Sequence, residues 1–257
     1  MLPSNNTVGR IRLHFKSLES TNDFATNIVS KINPSDGLVV STDFQSKGRG
    51  QFGRKWDGAA GQNVALTAIL RPQALQADDQ FFLSKMAAVA VCETLSELRI
   101  SNIGIKWPND IVVDDEKICG ILIQNTLTGK EIKWSIVGIG INVLQREFEG
   151  EFNRKPTSVA LKSPYEDAFD VRSVELILLK QLNALYVQLQ RGKFERIDDM
   201  YHHWLEKIGE NIRYNLRSEN VVKTGILDSV DKTGQICILH QGKLLRYAMG
   251  DISILPA

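Results

Sequence analysis

Three segments of this chain concentrate groups able to hold an anion. The first is Gly48-Arg49-Gly50-Gln51-Phe52-Gly53-Arg54-Lys55-Trp56. Its glycines let a backbone approach a ligand closely, and its amides with Arg49, Arg54 and Lys55 form a concavity suited to phosphate. The stretch also satisfies G-x-G-x-x-G, the dinucleotide fingerprint. That pattern needs a helix directly after the loop and an acid about 20 residues on. Residues 57–63 run Asp-Gly-Ala-Ala-Gly-Gln-Asn, too glycine-rich to propagate a helix, and Asp78 and Asp79 come late. The loop reads as a phosphate cradle without a Rossmann helix.

The second segment runs from Lys106 to Lys117. Pro108 fixes φ and removes a donor, so it belongs at a strand exit. Asn109 and Asp110 then fall in a turn from which side chains can face a site. The third segment, Gly138-Ile139-Gly140-Ile141-Asn142, sets two glycines in a strand, which weakens it unless a ligand approaches closely. Each feature also has an ordinary explanation: an Asx turn at Asn109-Asp110, a solvated edge lysine at Lys117, a bulge at Gly138. Their joint presence with the cationic loop favours function. No Ser-His-Asp or Cys-His set accompanies them.

Hydrophobic periodicity places these segments at strand ends. Strands are expected at Arg10–Phe15, Leu38–Phe44, Asn63–Leu70, Ile103–Lys106, Ile111–Val113, Ile118–Gln124 and Trp134–Ile139. Apolar residues on both faces of 63–70 argue for a buried sheet. Helices are expected from the Ser20-Thr21-Asn22 cap to about Ile32, and over Asp78–Leu98, Val171–Gln190 and Phe194–Lys207. Residues 145–169 read as an irregular connection. Five short strands after Ile208-Gly209 suggest a small β-barrel and a boundary there, giving domains 1–208 and 209–257.

Composition sets the class. The chain has 257 residues, 43% hydrophobic and 24% charged, which is ordinary for a globular protein. A net charge of +1 provides no field to recruit nucleic acid or a membrane. No apolar run approaches the roughly 20 residues that span a bilayer, and Met1–Asn6 lacks the regions of a signal peptide. Cys92, Cys119 and Cys237 have neither pairing nor zinc spacing, so they read as reduced core thiols of a cytoplasmic protein. His14, His202, His203 and His240 offer no H-x-x-x-H pair, so an imidazole-built metal centre is not expected.

The segments Ser20–Asn22, Gln45–Gly50, Gly53–Trp56, Lys106–Asp110, Lys117–Leu122 and Gly138–Asn142 together resemble, in content and order, the biotin protein ligase family. The match is to the monofunctional biotin–[acetyl-CoA-carboxylase] ligase type and spans roughly residues 10–255. It implies an α+β fold: a mixed β-sheet with flanking helices, the biotin/lipoate ligase-like catalytic domain, then a C-terminal SH3-like β-barrel. It implies activation of biotin by MgATP to biotinyl-5′-AMP, then transfer to a lysine of a biotin carboxyl carrier domain of a biotin-dependent carboxylase.

The resemblance also assigns roles. Ser20, Thr21, Asn22, Gln45 and Gly48 bind biotin, with Trp107, Gly120, Gly138 and Gly140 lining its pocket. Arg49 and Lys117 hold the carboxylate and the α-phosphate, and Asn109 and Asp110 face the metal-phosphate region or the acceptor lysine. Gly50, Arg54, Lys55, Trp56, Asn109 and Asn142 complete the ATP and adenylate side. Mg²⁺ is held mainly by ATP phosphates, near Asp110. Joining a carboxylate to ATP brings two anions together, so fixed cations stabilise the transition state and no enzyme nucleophile is required. A glycine-rich loop that orders over the ligand, with Trp56 as an apolar lid, would shield the mixed anhydride from water.

Two departures stand out. Many members carry a base where this chain has Gln51, which should weaken retention of the adenylate. Only about ten residues precede the first strand, short of the helix-turn-helix that some members carry, so no DNA binding is expected. A monomer or weak homodimer fits. The alternatives are a lipoate or octanoate ligase of the same fold, which would favour a Ser-Gly-Gly-Gly type segment, and a catalytically silent biotin sensor, which would not need the phosphate cations.

Overall fold

Alternating apolar residues build a sheet through the first half of the chain, and two amphipathic helices and a second sheet follow. The computed structural model describes residues 7–152, 154–165, 169–217 and 221–255. Met1–Asn6, on which the leader expectation rests, lie outside them. In order come β1 (Arg12–Phe15), α1 (Thr21–Lys31), β2 (Leu38–Thr42), β3 (Asn63–Leu70), α2 (Phe81–Glu97), β4 (Ile103–Lys106) and β5 (Asp110–Val113). Then come β6 (Glu116–Thr128), β7 (Glu131–Asn142), α3 (Val159–Lys162), α4 (Val171–Gln190) and α5 (Phe194–Trp204). The chain closes with β8 (Asn211–Leu216), β9 (Val221–Val230), β10 (Ile236–His240), β11 (Lys243–Tyr247) and β12 (Ile252–Ile254).

The first sheet has seven strands in the order β1-β2-β3-β7-β6-β5-β4. Only β1 and β2 pair in parallel; the other pairs are antiparallel, so the sheet is mixed. α1 covers one face, where Ala25 packs with Leu38, Val40, Ile69, Trp134 and Ile136. α2, α4 and α5 cover the other over the main core. α2 is apolar almost all round, as a helix enclosed by sheet and helices must be. Asp170 and Ser173 form a capping box that starts α4.

Some boundaries differ from expectation. Residues 77–79 form a 3-10 turn and α2 proper starts at Phe81, not Asp78. α5 stops at Trp204 because Leu205 turns extended and bridges to Ile105 of β4. Asp114 and Asp115 both take positive φ, which gives the tight reversal joining β5 to β6. Cys92, Cys119 and Cys237 are buried and free, and burial pushes the Cys92 and Cys119 thiols up, away from reactivity.

The C-terminal strands form a five-stranded antiparallel sheet ordered β11-β10-β9-β8-β12. No closed barrel is formed among the described residues. This sheet is anchored to α2 and α5. The fully buried Lys85 ammonium donates to Val230 O at 2.7 Å and pairs with Asp198. His202 Nε2 accepts from Val230 N at 3.0 Å. Among the described residues, no helix is long and apolar enough to cross a membrane.

Candidate active site

The N-terminus of α1 enters the core tip-first. Ser20 caps it by accepting from Asp23 N at 3.3 Å, a contact worth about 1 kcal/mol. The cap and the first turn, Ser20, Thr21 and Asn22, are buried although polar, so they must find partners. Gln45 Oε1 accepts from Thr21 N at 2.8 Å and from Thr21 Oγ1 at 3.1 Å. Asn22 Nδ2 donates to Leu122 O at 3.2 Å. Thr67 Oγ1 lies 2.7 Å from Asn22 Oδ1 and 2.8 Å from Thr21 Oγ1, its single proton serving one of them at a time. This network faces a slot of about 90 Å³.

The floor of the slot is the β6–β7 ladder, where Gly120 and Gly140 are direct partners. A Cβ on Gly138 would fall 2.1 Å from Asn22 Oδ1, and one on Gly140 would fall 2.5 Å from the Trp56 indole. A Cβ on Gly120 would fall 2.9 Å from the same ring. Both glycines of the third segment therefore sit in regular strand with side chains pressed on them. Neither marks a bulge.

The glycine-rich loop is ordered into a small hairpin. Trp56 N donates to Gly48 O at 2.9 Å, Gly50 N donates to Arg54 O at 2.7 Å, and Arg49 bridges to Lys55. No helix follows before β3. Phe52 at the tip is 70% exposed. Arg49 pairs with Asp23 at 2.5 Å. Both groups are half exposed, so this pair is weak enough to yield to an incoming anion.

Lys117 and Asp110 line the slot together. Lys117 Nζ lies 2.6 Å from Asp110 Oδ1 and 5.7 Å from the Trp56 ring centre. Asn109 is fixed by donating Nδ2 to Ile121 O at 2.7 Å. A second, wider groove of about 940 Å³ opens beside the slot, and Gln45, Lys55, Trp56 and Lys117 line both.

Of the residues expected from sequence, Ser20, Thr21, Asn22, Gln45, Arg49, Gly50, Arg54, Lys55, Trp56, Asn109, Asp110, Lys117, Gly120, Gly138 and Gly140 converge on the slot. Three do not. Gly48 lies at the hairpin base, where a Cβ would strike Trp56 O at 2.1 Å. Trp107 does not line the pocket as expected. Its ring is buried in the main core and its Nε1 donates to Gly234 O at 2.9 Å, so it holds the C-terminal sheet. Asn142 lines the groove and donates Nδ2 to Thr157 O at 2.9 Å. Thr67 contacts Thr21 and Asn22, and Asp23 contacts Arg49; sequence reading missed both. A lone threonine in the apolar run of β3 was the available signal for the first.

Comparison with known proteins places the chain in a family. The biotin/lipoate A/B protein ligase family matches residues 14–142. The chain is similar to the bifunctional ligase/repressor BirA of Bacillus subtilis, 30% identical over 248 residues, covering 96% of this chain and 75% of that protein. It is similar to the biotin–[acetyl-CoA-carboxylase] ligase of Mycobacterium tuberculosis, 27% identical over 220 residues, covering 84% and 79%. Among solved structures, the biotin protein ligase from Aquifex aeolicus in complex with biotin and ATP matches with a TM-score of 0.78 at 25% identity, covering 96% of this chain and 100% of that one. Sequence motifs, sheet order and whole-chain similarity converge, and the chain belongs to the biotin/lipoate A/B protein ligase family.

Proposed function

We propose that this protein is an ATP-dependent biotin protein ligase. It forms biotinyl-5′-AMP and passes the biotinyl group to a lysine of a carboxyl carrier domain. One observation carries the reading: a polar-ended slot and a wide groove meet at Lys117 and Trp56. Biotin has a ureido ring that needs donors and acceptors at one end, an apolar body, and a carboxylate at the other end. The Thr21–Gln45–Asn22–Thr67 network suits the ring, the Trp56–glycine wall suits the body, and Arg49 and Lys117 suit the carboxylate. ATP takes the groove with its α-phosphate toward Lys117.

In the first step a biotin carboxylate oxygen attacks the α-phosphorus, and pyrophosphate leaves. Lys117 and Arg49 stabilise the charge that builds on the phosphoryl oxygens. In the second step the neutral acceptor amine attacks the acyl carbonyl, AMP leaves, and Asp110 takes the amine proton. Among the described residues no cluster of His, Cys, Asp and Glu is built to hold a metal alone. A single carboxylate on the slot, Asp110, fits Mg²⁺ carried on ATP phosphates, where it would neutralise charge.

The reading extends to a carrier domain of a biotin-dependent carboxylase, a cytoplasmic location and a monomer or weak homodimer. It includes a division into domains 1–208 and 209–257, with the C-terminal sheet as a variant of an SH3-like barrel. An octanoate or lipoate ligase is the nearest rival. A plain acyl chain makes no use of the polar end of the slot at Thr21, Asn22 and Gln45, which disfavours it. The test is mass spectrometry of the purified protein with MgATP and either biotin or octanoate. Biotinyl-AMP alone supports the ligase; dominant octanoyl-AMP replaces the substrate; binding of biotin without adenylate supports a sensor.

A further inference from the structure

Lys117 lies beyond the end of the β6–β7 ladder. The last β6 residue facing β7 is Cys119, opposite Ile141. A short strap takes the place that β7 leaves. Lys117 N donates to Lys155 O at 2.8 Å, and Thr157 N donates to Lys117 O at 2.8 Å, a parallel bridge centred on Pro156. Asn142, the last residue of β7, donates to Thr157 O and joins the strap to the sheet. On its other edge Lys117 pairs with Val112 of β5. The backbone of the site's lysine is thus fixed from both sides.

The strap has its own anchor in Arg154. Its Nη2 lies 2.7 Å from Asp115 Oδ1, and its Nη1 lies 3.4 Å from Glu206 Oε2. The Arg154 side chain is only 13% exposed. Asp115 stands two residues before Lys117. Glu206 stands in the linker between α5 and β8, and its backbone N donates to Ile105 O at 2.9 Å. Lys155 and Lys162 pair with the other acids of the same turn, Glu116 and Asp114, yet no ion pair joins either of them to the linker among the described residues. Arginine suits this place because a planar fork holds two carboxylates in fixed relation, whereas an ammonium is a point charge.

We propose that Arg154 is a positioning residue that sets the strap holding Lys117 and couples it to the linker of the C-terminal sheet. The proposal rests on the ligase reading of the site. Small displacements of a reacting group are costly: about 1 Å can lower a rate roughly 100-fold. A shift of the linker therefore reaches the α-phosphate end of the site through Glu206, Arg154 and the strap. Arg154 also borders the groove, so a direct nucleotide contact is the competing role.

The test uses full-length wild type, Arg154→Met, Arg154→Lys, Glu206→Gln and the double variant Arg154→Met/Glu206→Gln. Pyrophosphate exchange is measured with whichever acid the wild type activates, so the choice of biotin is not at stake. Arg154→Met is expected to lower kcat about tenfold with KM for ATP and acid unchanged. Glu206→Gln falls less, Arg154→Lys recovers part of the loss, and the double variant is no worse than Arg154→Met. A raised KM for ATP with kcat intact, losses that multiply in the double variant, or no change overturns the proposal. Hydrogen exchange at the Lys117 amide is followed in parallel, and it reads the strap even if the wild type activates no acid. It is expected to quicken in Arg154→Met and in the milder Glu206→Gln; unchanged protection in both sinks the coupling.

Discussion

Lys117 Nζ and Asp110 Oδ1 stand 2.6 Å apart where the slot opens into the groove. Both side chains are mostly buried, 28% and 22% exposed, so the pair neutralises two charges that would otherwise be costly in an empty site. An incoming phosphate competes with Asp110 for the ammonium. On the ligase reading proposed above, that exchange frees Asp110 for the second step.

That exchange of partners predicts a split between the half-reactions. Lys117→Met should lower acyl-adenylate formation about 100- to 1000-fold, the scale for losing one fixed stabilising charge. Asp110→Asn should leave adenylation within about tenfold and slow transfer to the carrier lysine about 100-fold, the scale of general base loss. Pyrophosphate exchange reads the first step, and single-turnover transfer from preformed adenylate reads the second. Equal losses in both steps for Asp110→Asn would show that it only orients Lys117.

Gly138 and Gly140 are required for what lies on them. Alanine at 138 would press 2.1 Å from Asn22 Oδ1 and break the contact between Asn22 and Thr67. Alanine at 140 would press 2.5 Å from the Trp56 indole. Gly138→Ala should raise KM for biotin about tenfold or more with KM for ATP nearly unchanged. Gly140→Ala should raise both, since Trp56 borders slot and groove. Each should cost about 1–3 kcal/mol of stability through overpacking. Steady-state kinetics in each substrate, with urea unfolding, checks both; a Gly138→Ala protein with normal biotin KM would remove Asn22 from the biotin end.

Much of this was legible because local patterns coincide with global ones. The strand Asn63–Leu70 and the helix Val171–Gln190 begin and end where their periodicities do. The motifs worked as a set because the sheet order brings the starts of α1 and β5, the start of β6 and the end of β7 to one place. What stayed hidden depends on long-range packing. Trp107 belongs to a motif whose other residues face the slot, but its indole turns to Gly234, 127 positions away. Thr67 looked like any threonine in a strand until α1 was docked above it. The Arg154–Asp115–Glu206 link joins three segments that no spacing rule connects.

Gln51 tests the cationic loop. It borders the slot between Arg49 and Arg54, where many relatives of this type were expected to carry a base. Gln51→Arg should add one anion contact on a hairpin already ordered by Gly48–Trp56 pairing. Dissociation of acyl-adenylate should slow about 3- to 10-fold, in line with one partly exposed charge-assisted bond. Release is followed by trapping the free adenylate. A half-life that does not lengthen would mean that the loop retains adenylate by closure and not by charge.

Tyr201 separates stability from activity. It is fully buried against Phe81, and its hydroxyl has no hydrogen-bond partner among the described residues. Burial holds its pKa well above the ordinary 10.0. Tyr186 is also shifted up by burial, but its hydroxyl donates to Asp36 at 2.9 Å. In the unfolded chain both phenols lose a proton near pH 10, whereas in the folded chain they keep it. Their titration therefore leaves stability unchanged below pH 10 and lowers it as pH rises above 10. Tyr201→Phe relieves an unmatched buried hydroxyl and should raise stability at pH 7 by about 1–2 kcal/mol, whereas Tyr186→Phe should lower it by about 1 kcal/mol. Both should flatten the decline above pH 10, and neither should change pyrophosphate exchange, since neither residue borders the slot or the groove. Urea unfolding at pH 7, 10 and 11 decides. If Tyr201→Phe destabilises as much as Tyr186→Phe does, the hydroxyl has a partner, such as an internal water, and the two tyrosines are held in the same way.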